Sequence, residues 1–367
     1  MSEVPKYQAI LETIKREILQ GKYDHAMRFP SEWQLTRRFG VSRPTVSRAL
    51  HELEVQGVLK RRKGSGSTID PSFRSNARFL GMLVPDYTIG EFFQSICSAF
   101  AAECSERGYT LLYGTPTSQN PSKRLDETLE LTDKYIGHEV AGVIFEPADV
   151  LPDHQFINEN ILHKLEQKGI KVVFVDRDLA MPPARSDFDL VGIDNVAAGN
   201  RLAKHILEQG AKRIAFISRK AASPYTAKLR IAGVARAYAD AGLRWDRSLV
   251  QSCEPEDVEA IRALFARRNP PDAVIGSNDA TCAALIKTLN KLKISVPDDV
   301  LLGGFDDLTY ASMTDPSLTT IHQPCDEIGR IACRTLIDRI NNPETPPRQI
   351  LLDAPLVVRE STSVSGG

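Results

Sequence analysis

Residues 28–50 limit the possible folds of this chain more than any other stretch, because they are punctuated like two short helices with a tight turn between them. Ser31 can N-cap the first helix, and Gln34 three residues later completes the pattern of a capping box. Gly40 then ends the first helix, and Ser42 caps the second. The segment therefore predicts a helix–turn–helix unit.

The second predicted helix has one apolar face, because Val46, Ala49, Leu50 and Leu53 recur at helical spacing. Hydroxyls and guanidinium groups remain around its N-terminus, where a helix attracts phosphate and where arginine can pair bidentately with guanine. An ordinary solvated helix face is the alternative, and the capped frame argues against it. We expect DNA contacts from Arg28, Ser31, Ser42, Arg43, Pro44, Thr45, Ser47 and Arg48.

A basic hairpin is predicted after the second helix. Residues 58–60 and 67–69 are expected to form two short strands, and the turn between them carries Arg61, Arg62, Lys63 and Gly64. Such a wing can lay cations along phosphates or into the minor groove, and a solvated charged turn is the alternative. Residues 71–78 lack apolar periodicity, so we expect a short linker there.

This first part of the chain resembles the winged helix–turn–helix of GntR-type transcription regulators, over about the first seventy residues. The residues that carry the resemblance are Arg28, Pro30, Ser31, Glu32, Leu35 and the run VSRPTV at 41–46. Two positions depart from the common pattern of these regulators. Trp33 stands where an arginine is frequent, and Ser47 stands where a second recognition arginine is usual.

Composition and charge restrict the class of protein. The 367 residues are enough for two or three domains, and 42% hydrophobic with 25% charged residues is typical of a soluble globular protein. Residues 1–70 carry a net charge of +5 and the remainder −6, which fits one end that faces nucleic acid. No apolar run has the length of a bilayer span and the N-terminus is unlike a signal peptide, so we expect a cytoplasmic protein without membrane contact.

The six cysteines do not have the spacing of a metal site, since the sequence holds no CxxC pair and no histidine at ligand spacing from them. We expect buried, reduced thiols rather than a metal site or disulfides. These cysteines are Cys97, Cys104, Cys253, Cys282, Cys325 and Cys333.

From Phe79 onward, apolar strand-like runs alternate with helical segments. The predicted strands are 79–84, 109–113, 142–145, 171–175, 191–193, 213–217, 273–276 and 300–304. The predicted helices are 91–107, 125–137, 197–209, 227–241, 255–268, 280–293 and 326–341. Strands that are apolar throughout indicate parallel sheets covered on both faces, and this number of strands favours two similar lobes. The turns contain no Walker loop, GxGxxG or GxSxG motif.

Polar residues cluster where the predicted strands end, which is where ligands bind in sheets of this kind. They are Asp86, Glu146, Asp176, Arg177, Asp194, Asn195, Asn278, Asp279, Asp306 and Asp307. These acceptors and donors suit hydroxyl recognition better than acid–base chemistry.

This second part resembles the LacI-type effector domain, itself similar to periplasmic sugar-binding proteins, over about residues 79–359. The motifs that carry the resemblance are LGMLVP at 80–85, GY at 108–109, VFVDR at 173–177, LRIAG at 229–233, SND at 277–279, GFDD at 304–307 and LTTI at 318–321. The resemblance implies an α/β fold with two doubly wound parallel sheets in a two-lobed, periplasmic-binding-protein-like domain. It further implies that Arg230, Asn278, Asp306 and Gln323 hold effector hydroxyls, with Phe92 or Phe93 as an apolar platform.

Some of these residues have structural alternatives. Arg230 lies in a predicted helix and could pair with a surface carboxylate, Asp279 could be a helix cap, and Asp307 could be a turn or cap residue. LacI-type proteins also use a hinge helix that inserts a leucine into the minor groove, and residues 70–78, DPSFRSNAR, lack that pattern. Signal transfer would then go through domain placement or dimer geometry.

Together these features predict a transcription regulator, most simply a repressor, whose affinity for double-stranded operator DNA is controlled by a small effector, most simply a sugar. The expected domains are a DNA-binding head at 1–70, a linker at 71–78 and an effector-binding and dimerisation domain at 79–367. The effector residues are expected to be Asp86, Phe92, Phe93, Glu146, Arg177, Arg230, Asn278, Asp306 and Gln323. We expect a homodimer, no catalytic residue, no metal and no cofactor. The alternatives are a winged-helix regulator with a pyridoxal-phosphate enzyme domain, and a sugar-binding protein without a DNA role.

Overall fold

The computed structural model describes residues 5–19, 23, 29–62, 66–69, 79–84, 91–114, 116, 118, 120–149, 154–220 and 224–363. Its helices are α1 Lys6–Leu19, α2 Glu32–Phe39, α3 Arg43–Val55, α4 Glu91–Glu106, α5 Pro121–Gly137, α6 His154–Gln167, α7 Asn195–Glu208, α8 Pro224–Asp240, α9 Val258–Phe265, α10 Asp279–Lys291 and α11 Cys325–Asn341. Short 3-10 turns lie at Arg247–Leu249, Thr309–Ser312 and Glu360–Thr362. Among the residues described, none of the helices has the length and apolar character that a membrane span requires.

The strands are β1 Leu59–Arg62, β2 Gly66–Ile69, β3 Phe79–Leu83, β4 Thr110–Leu112, β5 Gly142–Phe145, β6 Lys171–Val175, β7 Asp189–Ile193, β8 Ile214–Ser218, β9 Val250–Ser252, β10 Ala273–Gly276, β11 Leu301–Asp306, β12 Thr319–His322, β13 Gln349–Leu352 and β14 Leu356–Val357. They form one two-stranded sheet, β1-β2, and two six-stranded sheets. The first large sheet has the order β13-β7-β6-β5-β3-β4, and the second has the order β14-β12-β11-β10-β8-β9.

The N-terminal head is a helix–turn–helix followed by a hairpin, as predicted. Ser31 and Gln34 form the capping box, in which the Ser31 N–H donates to Gln34 Oε1 at 2.8 Å and the Gln34 N–H donates to Ser31 Oγ at 3.4 Å. Gly40 ends α2 with a φ of 62°, a left-handed conformation that glycine adopts without a Cβ penalty. β1 and β2 pair antiparallel and form the predicted hairpin.

The predicted two-lobed α/β architecture is confirmed. Strands such as β5 and β10 are buried along their whole length, because helices cover both faces of each sheet. All neighbouring strands in the two large sheets are parallel except β12 and β14, which pair antiparallel. The expectation of purely parallel sheets is therefore wrong at this one edge.

The sequence prediction missed four strands and one helix. β9, β13 and β14 are two to four residues long and lie at or beside sheet edges, where a short strand leaves little apolar signal. β12 has the sequence TTIH, and its buried threonines give no apolar run. The missed helix is α6, which packs beside β6 and α5.

Within the described part of the chain, the backbone passes between the two lobes three times. The first passage joins β7 to α7, the second joins β12 to α11, and the third joins β13 to β14. α11 packs on β5, β6 and β7 of the first lobe, whereas α7 packs on β11, β12 and β14 of the second lobe. Both lobes are therefore built from segments that are distant in sequence.

One close helix contact fixes a part of the cleft between the lobes. α7 and α8 pack against each other through Gly199 and Gly233, where an added Cβ would lie 2.2 Å from the carbonyl oxygens of Arg230 and Val196, respectively. Only glycine allows this approach without a backbone shift. The contact brings Arg230 of α8 beside Asn195, the first residue of α7.

Candidate functional site

The N-terminus of α3 presents the first group of predicted DNA-contacting residues. The Arg43 side chain is 79% exposed, and its Nε donates to Glu32 Oε2 on α2 at 3.2 Å. Ser42 is the N-cap by position, but its hydroxyl lies 2.8 Å from the Thr45 hydroxyl and makes no capping bond to the backbone. The backbone N–H groups at the start of the helix thus lie beside an exposed guanidinium and a pair of hydroxyls, which suits a phosphate or a base edge.

The other residues of α3 differ from the expectation in detail. Thr45 and Ser47 are half-buried, because a helix turns 100° per residue and these positions lie at the margins of the apolar face rather than opposite it. Pro44 and Arg48 are exposed, and the Arg48 guanidinium lies 4.1 Å from the ring centre of Tyr7 on α1. This cation–π contact gives the Arg48 side chain a fixed direction before any DNA is bound.

Trp33, which departs from the common pattern of GntR-type regulators, lies on the surface of the head. Its side chain on α2 is 67% exposed, with the Arg37 guanidinium 5.7 Å from its ring.

Several predicted contact residues lie outside the described part of the chain. Arg28, Lys63 and Gly64 lie outside the described residues, as do Asp86 and the predicted linker, and only the backbone is described for Arg61 and Arg62.

In the body, the ends of β5 and β6 bring together a buried charged cluster around Arg177. The Arg177 guanidinium pairs with Glu146, with Asp149 at 2.5 Å and with Asp176 at 3.3 Å. Arg177 and Glu146 were predicted as site residues, whereas Asp149 was missed because it lies in an irregular stretch four residues beyond β5. One guanidinium is therefore surrounded by three carboxylates.

A second buried cluster surrounds Arg230 in the second lobe. Its Nε donates to Asn195 Oδ1 at 2.8 Å, and its Nη1 donates to the Ser277 carbonyl oxygen at 2.6 Å. Its Nη2 lies 3.9 Å from Asp306 Oδ1, and the guanidinium carbon is 4.3 Å from the ring centre of Phe305. The alternative in which Arg230 pairs with a surface carboxylate is wrong, because Arg230 is only 5% exposed.

Asp306 is the last residue of β11 and has an unusual backbone. Its φ of 111° lies in a region that residues with a Cβ rarely adopt, so the fold holds this carboxylate in place at a conformational cost. Gln323 Nε2 donates to Asp306 Oδ1 at 2.7 Å, while the Gln323 Oε1 atom is buried and has no hydrogen-bond partner. A buried acceptor without a donor is costly, and a bound hydroxyl would satisfy it.

The remaining strand-end residues have structural roles of their own. Asn278 is the N-cap of α10 and accepts from the Thr281 N–H at 2.9 Å, so the alternative in which Asp279 is the cap is wrong. Asp279 instead accepts from the Thr320 hydroxyl at 2.6 Å and from the Leu308 N–H at 3.1 Å. Asp307 is a turn residue with a φ of 56°, paired with Arg359 at 2.6 Å and with His322 at 3.0 Å.

Phe92 and Phe93 were alternatives for an apolar platform, and they differ in exposure. Phe93 is buried in the core between the helices and sheet of the first lobe, whereas Phe92 is half-buried. The two rings contact each other edge to face with centroids 4.8 Å apart. Of the two, Phe92 has the surface that a ligand could cover.

The two charged clusters belong to one interlobe cleft. Burial raises the pKa of Asp176, and the opposing influences come from Arg177 on its own lobe and from Arg230 on the other. Hydrogen bonds between described residues also join the lobes: the Tyr225 N–H donates to Asp149 Oδ2 at 3.1 Å, and the Thr309 N–H donates to Glu91 Oε2 at 3.0 Å. Residues of both lobes therefore line the cleft.

Burial also dominates the titration of the cleft carboxylates. It raises the pKa of Asp306 to about 6, although Arg230 and the Gln323 amide lower it. Burial likewise raises the pKa of Asp279 well above its ordinary value, with the Asp306 charge adding to the effect. The arrangement offers carboxylates, guanidiniums and amides, which are groups that recognise hydroxyls. The described residues include no group of three or more His, Cys, Asp or Glu placed to hold a metal ion.

Two family models match the two parts of the chain. Residues 6–69 match the bacterial regulatory proteins of the gntR family, and residues 203–362 match the periplasmic binding protein-like domain. The HTH-type transcriptional regulator CelR of Thermobifida fusca is 30% identical over 276 residues, which cover 74% of this chain and 76% of that protein.

Two further similarities extend over nearly the whole chain. The arabinose metabolism transcriptional repressor of Geobacillus stearothermophilus is 28% identical over 98% of both chains. A solved structure of a CelR–cellobiose complex superposes with a TM-score of 0.66 and 25% identity, covering 98% of this chain and 100% of that one. The chain therefore belongs to the family of transcriptional regulators in which a GntR-type helix–turn–helix head is joined to a LacI-type, periplasmic-binding-protein-like effector domain.

Proposed function

We propose that this protein is a transcriptional repressor whose affinity for operator DNA is controlled by a sugar bound in the interlobe cleft. The observation that carries the proposal is the buried Arg230–Asp306–Gln323 cluster, which leaves one acceptor atom unsatisfied beside a crossing segment. Carboxylate, guanidinium and amide groups in this arrangement match adjacent hydroxyls. Two relatives support a sugar, since one is named for arabinose metabolism and one structure contains cellobiose.

The effector residues of the proposal are those in or near the described cleft. They are Glu146, Arg177, Arg230, Asn278, Asp306 and Gln323, with Phe92 as the apolar surface, and Asp86 stays a prediction from the sequence. We assign residues 1–70 to DNA binding, 71–78 to the linker and 79–367 to effector binding and dimerisation. The protein acts as a homodimer in the cytoplasm, because two-fold symmetry lets two heads contact two half-sites of an operator.

Control of DNA binding requires the effector to prefer one arrangement of the lobes. A tenfold change in operator affinity needs a differential binding free energy of about 1.4 kcal/mol, and a hundredfold change needs about twice that. A net hydrogen bond to a charged group contributes about 1.5–3 kcal/mol. One or two hydroxyl contacts that Asp306 and Gln323 make in a single lobe arrangement are therefore enough to switch the protein.

The proposal is tested with full-length protein and duplex DNA selected from a random pool. The selected duplex should bind about 10³-fold or more tightly than random duplex at physiological salt, and one sugar of a panel should change that affinity at least tenfold. Asp306→Ala should lose the response to the sugar and keep the DNA affinity of the wild type. The matched control is Asp240→Ala, an exposed carboxylate on α8 that pairs with Arg236 and should leave both properties unchanged. A normal sugar response of Asp306→Ala would exclude the proposed site.

A further inference from the structure

The charges of the interlobe cleft are unbalanced. Among the described residues of the two clusters, the guanidiniums of Arg177 and Arg230 face the carboxyl groups of Glu146, Asp149, Asp176, Asp279 and Asp306. Even if Asp176 and Asp279, whose pKa burial raises, are both protonated, Glu146, Asp149 and Asp306 still outnumber the two cations above pH 6. An anionic ligand would enter a site whose fixed charge is already negative.

Both guanidiniums are already engaged by groups of the protein. Arg177 directs its Nε, Nη1 and Nη2 to three different carboxylates. Arg230 directs its Nε and Nη1 to Asn195 and to the Ser277 carbonyl, and its Nη2 faces Asp306. A phosphate or carboxylate that paired with Arg177 would compete with three buried carboxylates, and one that paired with Arg230 would lie beside the Asp306 carboxylate.

The groups that remain for a ligand suit hydroxyls. Gln323 Oε1 is an acceptor on a residue only 3% exposed and lacks a donor, and it lies on the side chain that already contacts Asp306. A hydroxyl can donate to this oxygen or to the Asp306 carboxylate and can accept at the same time, whereas a phosphate or carboxylate only accepts. An acceptor facing an anionic oxygen would gain no hydrogen bond.

We infer that the effector is an uncharged sugar, and that the cleft rejects both sugar phosphates and sugar acids. This inference rests on the proposed function and adds the charge class of the effector. The carboxylates around the two arginines cause the rejection of charged sugars. The charge of the ligand, and not its size, therefore decides whether it binds.

The test compares neutral sugars with charged counterparts of the same skeleton on the full-length protein. Binding is measured by calorimetry, and DNA release is measured by mobility shift. The ligands form three groups: D-glucose with D-glucose 6-phosphate and D-gluconate, D-ribose with D-ribose 5-phosphate, and L-arabinose with L-arabinonate. We expect a neutral sugar to bind and each of its charged counterparts to bind at least 100-fold more weakly. A charged counterpart that binds as tightly as its neutral partner would overturn the inference while leaving the proposed function intact. If no sugar of either kind binds or releases DNA, the proposed function fails, and the inference with it.

Two further measurements locate the rejection in the carboxylates. The double variant Glu146→Gln, Asp149→Asn keeps the shape of both side chains and removes two charges around Arg177, so it should bind the acid counterpart at least tenfold more tightly than the wild type does. In the wild type, the affinity for the neutral sugar should change less than twofold between 50 and 500 mM NaCl. A folded double variant that binds the acid no more tightly than the wild type does would overturn the inference. An affinity of the wild type for the neutral sugar that falls with salt as an ion pair does would also overturn it, and this measurement needs no variant.

Discussion

Asp306→Asn should stabilise the effector-free protein while destroying its response to effector. The substitution replaces a buried carboxylate by an amide of the same shape, which can still accept from Gln323 Nε2. Burial raises the pKa of Asp306 from its ordinary value of 3.8 to about 6, and this value already includes the attraction of Arg230. The fold therefore favours the uncharged form of this side chain, and the amide is uncharged at every pH.

The size of the effect follows from the shift of the pKa. Asp306 costs no stability below pH 3.8, its cost grows as the pH rises toward 6, and the cost is constant above that range. At pH 8 the cost is about 3 kcal/mol, and at pH 5 it is about half as large, because one pKa unit corresponds to about 1.4 kcal/mol. At about 2 °C of Tm for each kcal/mol, the variant should melt about 6 °C above the wild type at pH 8 and about 3 °C above it at pH 5.

The assay is thermal unfolding of both proteins at pH 8 and pH 5, without effector and at one ionic strength. Asp240→Asn serves as the control, because this exposed carboxylate pairs with Arg236 on the surface of α8 and should change Tm little at either pH. A variant that melts below the wild type at both pH values would refute the reasoning, since it would show that the Asp306 charge stabilises the fold. An equal gain at both pH values would refute the assigned titration.

Three other substitutions or labelling experiments test separate parts of the molecule. Arg43→Ala should weaken binding to the selected duplex by about 1–3 kcal/mol, and an equal loss on random duplex would show that Arg43 contacts only phosphate. Replacing Arg61, Arg62 and Lys63 by alanine should lower the slope of log K against log salt by about 1–3, and an unchanged slope would place the wing away from the DNA backbone. Cys253 is half-buried and the other five cysteines are buried, so a thiol reagent should modify one thiol quickly and five slowly; rapid modification of several thiols in the native protein would contradict the described core.

The two-lobed fold could be predicted because each central strand is apolar throughout and each is followed by a helix. The prediction fails where burial does not depend on apolar side chains. β12 contains Thr319 and Thr320, which are fully buried because their hydroxyls bond to Thr362 and Asp279, respectively. A search for apolar runs cannot recognise such a strand, since its polar groups are satisfied by partners more than 40 residues away.

The site shows the same limit. The rule that ligands bind beyond the carboxyl ends of strands is enough to place Glu146, Arg177 and Asp306 in one region from the sequence alone. It does not show that Arg177 is held by three carboxylates, because Asp149 is neither at a strand end nor in a motif. The sequence therefore predicts which residues meet, and only the geometry reveals that the Arg177 guanidinium is already paired with three carboxylates.

The position of Gln323 explains how a ligand in the cleft could act on the DNA-binding head without a hinge helix. Gln323 lies between β12 of the second lobe and α11, which packs on β5, β6 and β7 of the first lobe. A hydroxyl that bonds to Gln323 and Asp306 together therefore fixes a crossing segment relative to the second lobe. The first lobe begins at Phe79, and the predicted linker of eight residues reaches at most about 28 Å when fully extended. In the homodimer that we propose, a rotation of the first lobe would therefore change the separation of the two heads, and half-sites at a fixed spacing would convert that change into a change of affinity.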